Sequence, residues 1–295
     1  MAHPPGLYDR FKGCWDRFDR AVSHREAAAK AWSDFLDEEP YDTRLEIEAD
    51  GYGMLRVEQY IPVPSVVAIE FGEYLYNLRA VLDYCVYAVA VCDTTQDPPP
   101  GEDLLQFPIY DNETSYRRNE YRLKPLSEKH RRWLKAVQPY IGPDQPDYSG
   151  LYWLNDLARR DRHRTLHVVG AYLAEATSMI WAPKADAILI EDQPPFAFIE
   201  REAVVARFQI MPFTPGDEVQ ANGNVALDVE IAEFVQRRPE GAKWLWMPLG
   251  RRLRMMELTC VEGIVARFER DCLGWTRFKG LLDESAIEPA EGVKG

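Results

Sequence analysis

The sequence predicts an α+β protein, a helical bundle with long antiparallel helices plus a small antiparallel β-sheet. Three observations predict it. Two long segments carry apolar residues at helical spacing, shorter segments at 43–60 and 178–235 alternate apolar with polar residues, and the two kinds of block interleave along 295 residues.

The first element is a helix. Leu7, Phe11, Cys14, Phe18, Ala21, Arg25, Ala28, Trp32 and Phe35 step by fours and threes and draw one stripe, with Arg25 its only charged member. The run DEEP ends it, because proline disfavours helical geometry in the residue before it. A rod of this length spans roughly 45 Å and must pack on something large. A hairpin follows, with Leu45, Ile47 and Ala49 alternating with glutamates, DGYG at the turn, and Leu55 and Val57 beyond it. The helix at 66–92 is the most apolar and reads as the central rod of a bundle, with Leu75, Leu78, Leu82, Cys85, Val86 and Val89 on one side. The loop CDTTQDPPPGED ends it.

Two short helices are expected near 113–122 and 127–138, then a proline-rich connection, then a long helix over about 150–177. The 178–235 region is strand-rich, through AILI, FAFIE, AVVARFQIM and the alternation of Val225, Leu227, Val229 and Ile231. A last helix at 249–273 carries Leu249, Leu253, Met256, Cys260, Ile264 and Phe268, and the tail ESAIEPAEGVKG is polar. The expected division is 1–177, a helical bundle with an inserted β-hairpin at 43–60, then 178–295, a strand-rich part whose C-terminal helix packs back on the bundle. If the hairpin joins the later strands, the chain is one interleaved domain.

Composition narrows the function. The chain is 46% hydrophobic and 12% aromatic, enough for a sizeable core. With 35 basic and 48 acidic residues the net charge is −13, which argues against a generic nucleic-acid coat or an anionic-membrane binder. There is no run of about 18 apolar residues and no signal-peptide core, so no membrane partner is expected. Five cysteines without CxxC spacing imply neither a disulfide framework nor a zinc knuckle, and a reduced cytoplasmic setting is the default. Walker, GxGxxG and GxSxG motifs are absent, and no cofactor is expected.

The densest polar cluster lies on the 150–177 helix: Asn155, Asp156, Arg159, Arg160, Asp161, Arg162, His163, Arg164 and His167. Helical geometry sets Asp156, Arg160, His163 and His167 on one stripe, with Arg159 close to it. Asn155, Asp161 and Arg162 fall on faces that otherwise look buried, where charges need partners. The 66–92 helix offers Glu73, Asn77, Arg79 and Asp83. One reading is structural, a polar lattice fixing the register of two crossing helices. The other is a site built between them.

The block Arg162-His163-Arg164-Thr165-Leu166-His167 is similar to the Arg-x(4–6)-His signature of HEPN (higher eukaryote and prokaryote nucleotide-binding) domains. The segment YNLRAVLDY, 76–84, resembles their Asn/Arg-bearing second helix. Both segments also resemble uncharacterised bacterial and phage proteins with patterns like NLRxxLDY and DKHRxL, a likeness that names no activity. The HEPN resemblance implies a bundle that dimerises and cuts RNA without metal, in a defence or toxin–antitoxin setting, with RNA or a nucleotide as partner. It implies Arg162 steadying the phosphate, His167 as general acid/base and His163 as the polar residue after the arginine. Arginine grips phosphate oxygens bidentately, and histidine titrates near pH 6.5. On a straight helix, five residues turn by about 140° net, so Arg162 and His167 share a pocket only if the helix bends, starts there or meets its mate across a dimer.

Two other readings compete. A non-enzymatic interaction or small-ligand protein would keep the cluster for structure and take a protein or small-molecule partner. A helix-bundle metalloenzyme would chelate one ion with His163 and His167 at i, i+4, though HRTLH lacks the HExxH glutamate and two arginines flank the pair. His3, His24 and His130 read as solvated, the aromatics between Arg10 and Arg20 as core, the cysteines as small hydrophobes, and Trp244 and Trp246 as a cap on the sheet.

Overall fold

The computed structural model describes residues 4–142, 145–163, 166–192, 197–199 and 201–277. The fold is α+β, with two antiparallel sheets where the sequence predicts one small one. Helix α1 spans Leu7–Leu36. Its stripe is buried at Leu7, Phe11, Cys14, Phe18, Ala21, Trp32 and Phe35. Each of the larger side chains contributes about 1.5–3 kcal/mol by leaving water. Strands β1 (Tyr41–Ile47) and β2 (Tyr52–Gln59) form the hairpin, with Leu45 opposite Leu55. Gly51 takes the turn at φ 87°, a conformation that costs a glycine little.

Helix α2 (Ser65–Thr94) buries Leu75, Leu78, Leu82, Cys85, Val86 and Val89. By length and composition alone it could cross a membrane, yet 67% of its most apolar window is buried inside the molecule, as befits a core helix. Helices α3 (Glu113–Asn119) and α4 (Glu128–Ala136) open on side-chain caps, Asn112 accepting from the Ser115 amide and Ser127 from the His130 amide.

Helix α5 covers Gly150–His163 and stops fourteen residues short of the expected end at 177. Strand β3 begins at Val169 and runs to Trp181. The sequence HVVGAYLAEA fits either period, since Val169 and Leu173 sit at both helical and alternating spacing. Its β-branched start and pairing with later strands decide for the strand. Strands β4 (Ala187–Asp192), β5 (Ala197–Ile199), β6 (Glu202–Met211) and β7 (Gln220–Ile231) follow. Short helix α6 is Ala232–Arg237. The last helix begins as α7 (Leu249–Met255), widens into a π-helical stretch at Met256–Glu262 and ends as α8 (Gly263–Leu273).

The hairpin does join the later strands. One sheet has the order β1-β2-β6-β4 and the other β5-β3-β7. The two share a core, because Leu55, Val57, Val205 and Ala206 of the first cluster with Ala171 and Ile199 of the second and with Trp32 and Phe35 of α1.

The chain divides into two compact units, but not at 177/178. The first comprises residues 1–18, 78–154 and 255–295, and the second 19–77 and 155–254. Each boundary falls within a helical segment, so α1, α2, α5 and the final helix supply residues to both units. Sequence order could not show this, because a helix is one element to periodicity wherever its neighbours change.

In the first unit the extended segment 105–110 has no strand partner among the described residues. Three side chains satisfy its backbone instead. Asp83 accepts from the Phe107 amide (2.8 Å), and Arg79 donates to the Phe107 carbonyl (2.8 Å) while pairing with Asp83 (2.6 Å). Gln138 donates to the Pro108 carbonyl (2.8 Å) and accepts from the Tyr110 amide (3.0 Å). Buried peptide groups require such partners. Asp83→Ala strands both the Phe107 amide and part of the Arg79 guanidinium. We expect a loss of about 3 kcal/mol in urea unfolding, against less than about 1 kcal/mol for the exposed-pair variant Asp34→Ala.

Candidate functional site

The C-terminal half of α5 belongs to the second unit. Leu157 and Ala158 are buried there, which fixes the direction of the polar side chains around them. Asp156 is buried and accepts from Arg237 (2.5 Å), Arg160 (2.9 Å) and Arg159 (3.4 Å). Burial alone would raise its pKa, but the guanidinium groups outweigh it and the net shift is downward. Arg237 lies on α6, eighty-one residues away, and nothing in the sequence pairs it with Asp156.

Arg162 is exposed, not buried as its helical face suggested. It donates to the Ala158 carbonyl (3.4 Å) and lies over the Tyr76 ring at 5.5 Å, a cation–π contact. His167 lies beyond the helix, in the irregular segment before β3. Its side chain has no exposed surface, Nδ1 is 2.8 Å from Glu233 Oε1, and the ring packs edge-on against Phe71. Glu233 is lowered despite its burial, because the imidazole bonds to its charged form. Since α5 ends at His163, Arg162 and His167 do not share a helix, and the i, i+4 chelate expected of His163 and His167 loses its geometric basis. The His163 side chain, Arg164 and Thr165 lie outside the described residues.

Asp161 is half-buried, and its carboxylate rests against the backbone of α2 at Gly72, where an added Cβ would lie 2.4 Å from Oδ1. Burial raises its pKa. Asp161 Oδ1, His167 Nε2 and Glu233 Oε2 are all buried and have no hydrogen-bond partner among the described residues. The sequence did carry a signal for Gly72, a lone glycine inside an apolar helical run.

The supporting residues divide. Asn77 donates to the Glu73 carbonyl of its own helix (2.8 Å), Glu73 is exposed, and Asn155 is half-buried. Arg79 and Asp83 belong to the first unit, where they hold the Phe107 segment. Among the described residues, no group of three His, Cys, Asp or Glu side chains could hold a metal ion.

Two histidines expected in solvent are buried. His24 bonds to Glu70 (2.6 Å). His130 is held between Asp93 (2.7 Å) and Asp271 (2.8 Å), which also pairs with Lys129. His3 lies outside the described residues. The basic-aromatic stretch near the N-terminus is core as expected, with Phe11, Trp15 and Phe18 buried. Trp246 stacks on Arg238, 3.9 Å from its ring centre.

An open concavity of the second unit lies elsewhere. A groove of about 860 Å³ is bordered by Gln59, Tyr60, Val168, Phe198, Arg201 and Glu202. Tyr60 and Val168 are 62% and 55% exposed. The Phe198 ring lies across Gly170, where a Cβ would be 2.6 Å from it, so only glycine lets the ring form this wall. Glu202 pairs with Arg56 (3.0 Å), while Arg201 is exposed and makes no ion pair among the described residues. No sequence pattern marked this groove, because its residues come from three separate stretches.

Two outcomes follow. Gly72→Ala pushes a methyl group into Asp161, with an expected loss of about 1–3 kcal/mol in urea unfolding, and adding Asp161→Ala recovers most of it. For His130, burial lowers the pKa but the two aspartates outweigh it, so the net shift is upward from 6.5. Its stabilising contribution is therefore complete below pH 6.5 and is lost as pH rises through the folded value. The thermal midpoint should fall over that interval, and His130→Asn should flatten the fall.

No protein-family model, no curated protein and no solved structure matches the chain.

Proposed function

We propose that the protein is a non-enzymatic binding protein whose Arg/Asp/His cluster is structural and whose groove beside β3 and β5 takes an amphipathic anion. The observation that carries this reading is the groove itself. It offers two aromatic rings, an aliphatic floor and a guanidinium with no ion-pair partner among the described residues, in a chain of net charge −13. Ligand pockets of about 300–1,000 Å³ combine apolar walls with a few polar groups that orient the ligand. Here Tyr60, Val63, Val168 and Phe198 would cover an apolar body, and Arg201 would receive a carboxylate or sulfonate.

The burial of His167 favours this reading over a metal-independent ribonuclease of HEPN type. General acid/base catalysis needs the imidazole within hydrogen-bond reach of the substrate. His167 Nε2 is sealed from solvent, and Nδ1 is occupied by Glu233.

The test uses 8-anilinonaphthalene-1-sulfonate as a fluorescent amphipathic anion. Wild-type protein should bind it saturably and release it to dodecanoate. Arg201→Ala should weaken binding about tenfold while near-ultraviolet circular dichroism stays unchanged. Equal affinity in the variant would remove the groove as the site. An RNA-cleavage assay in EDTA should show no activity above background for wild type. Cleavage abolished by both Arg162→Ala and His167→Ala, with the fold intact, would instead support the ribonuclease.

A further inference from the structure

We propose that the first unit carries a binding site of its own, a cavity beside α2 that takes a neutral planar aromatic molecule bearing an N–H donor, with indole the simplest of the class. The cavity has a volume of about 420 Å³ and is lined by Arg10, Asp83, Tyr84, Tyr87 and Leu105. All five belong to the first unit. What carries the inference is an acceptor between two aromatic walls, the Asp83 oxygen that the fold leaves unused.

Asp83, Tyr84 and Tyr87 stand at i, i+1 and i+4 on α2, close enough in angle to serve one side of the helix. Arg79 and the Phe107 amide both bond to Asp83 Oδ1, at 2.6 and 2.8 Å. Those two bonds hold the carboxylate in place and leave Oδ2 with no hydrogen-bond partner among the described residues. The Asp83 side chain is 32% exposed and borders the cavity. An acceptor already fixed by the fold loses no rotamer freedom when a ligand arrives. The walls are fixed as well. The Tyr84 ring lies against α1, where a Cβ on Gly13 would be 3.9 Å from its Cδ2. Arg17 donates to the Tyr84 hydroxyl (3.4 Å) and lies over the ring at 5.5 Å. Arg10 lies over the Tyr87 ring at 5.1 Å, and the Tyr87 hydroxyl donates to Glu102 (3.1 Å).

These neighbours select the charge of the ligand. Guanidinium groups already lie over both rings, so a further cation there meets like charge. An anion meets the Asp83 carboxylate, and Arg10 does not offset it, because its Nε and Nη2 are bonded to Asp97 at 2.8 to 3.1 Å. A neutral ring avoids both penalties. It packs on Tyr84 and Tyr87 in offset or edge-on geometry, with Leu105 as an aliphatic side of the cavity. Its N–H meets Asp83 Oδ2 in a charge-assisted hydrogen bond. Apolar walls with one well-placed polar group are the usual make-up of a small-molecule pocket. None of the five lining residues borders the groove of the second unit, so the two proposals stand or fall separately.

The experiment titrates the full chain with indole by isothermal calorimetry, alongside 1-methylindole, which keeps the ring and lacks the N–H, and phenethylammonium, which carries a charge. Wild type should bind indole saturably and 1-methylindole about tenfold more weakly. Asp83→Asn keeps an oxygen for Arg79 and the Phe107 amide but puts an NH₂ group in place of Oδ2, and should weaken indole binding about tenfold. Tyr84→Ala removes a wall at a side chain 44% exposed, and should weaken it about fivefold. Near-ultraviolet circular dichroism checks the fold of each variant. No saturable indole binding, equal affinity for 1-methylindole, tighter binding of phenethylammonium than of indole, or unchanged indole affinity in either folded variant would overturn the proposal. The comparison of ligands uses wild type alone, and Tyr84→Ala locates the site even if Asp83→Asn does not fold.

Discussion

A buried peptide group that neither helix nor strand can pair must find a side chain, and the first unit is organised around meeting that demand. The segment 105–110 buries Phe107 and Pro108 and has no neighbouring strand among the described residues. Asp83, Arg79 and Gln138 supply its hydrogen bonds from α2 and from the end of α4. Each of those side chains is held in turn, Arg79 by Asp83 and Gln138 by the Leu134 carbonyl. The polar residues of an otherwise apolar core helix thus have a structural cause, and removing one leaves more than one group unpaired.

The second unit applies the same rule to charges. Asp156 collects three guanidinium groups, His167 meets Glu233, and the wholly buried Arg252 donates from Nη2 to both Glu230 oxygens at 2.5 and 2.6 Å. Burial raises the Glu230 pKa more than the arginines lower it. Neutralisation at this density consumes the chemistry of the residues involved. A guanidinium already shared with a carboxylate, or an imidazole sealed behind an aromatic ring, has little left for a substrate. At the rim of the sheets, by contrast, Tyr60 and Arg201 are exposed.

Much of this architecture was legible in the sequence. The stripe from Leu7 to Phe35, the apolar α2, the hairpin at Leu45 and Leu55 and the alternation in β7 each follow from local periodicity, which needs no knowledge of partners. The end of α5 is not legible because Val169 and Leu173 satisfy both periods, and only pairing with β5 and β7 separates them. The polar cluster is legible as a cluster, but the partners of its members are not. Glu233 and Arg237 sit sixty-six and eighty-one residues from the groups they neutralise. The caging of His130 by Asp93 and Asp271 likewise joins positions far apart in the chain. Periodicity reports which face of an element turns inward, and it carries no record of what waits there.

The interleaving of the two units has a consequence for ancestry. Because the borders at 18/19, 77/78, 154/155 and 254/255 interrupt helical segments, neither unit corresponds to one uninterrupted coding stretch. Recombination that shuffles modules between genes moves contiguous DNA and would sever rods at every junction. Such a chain can diversify by point change and loop insertion, but its halves travel together or not at all.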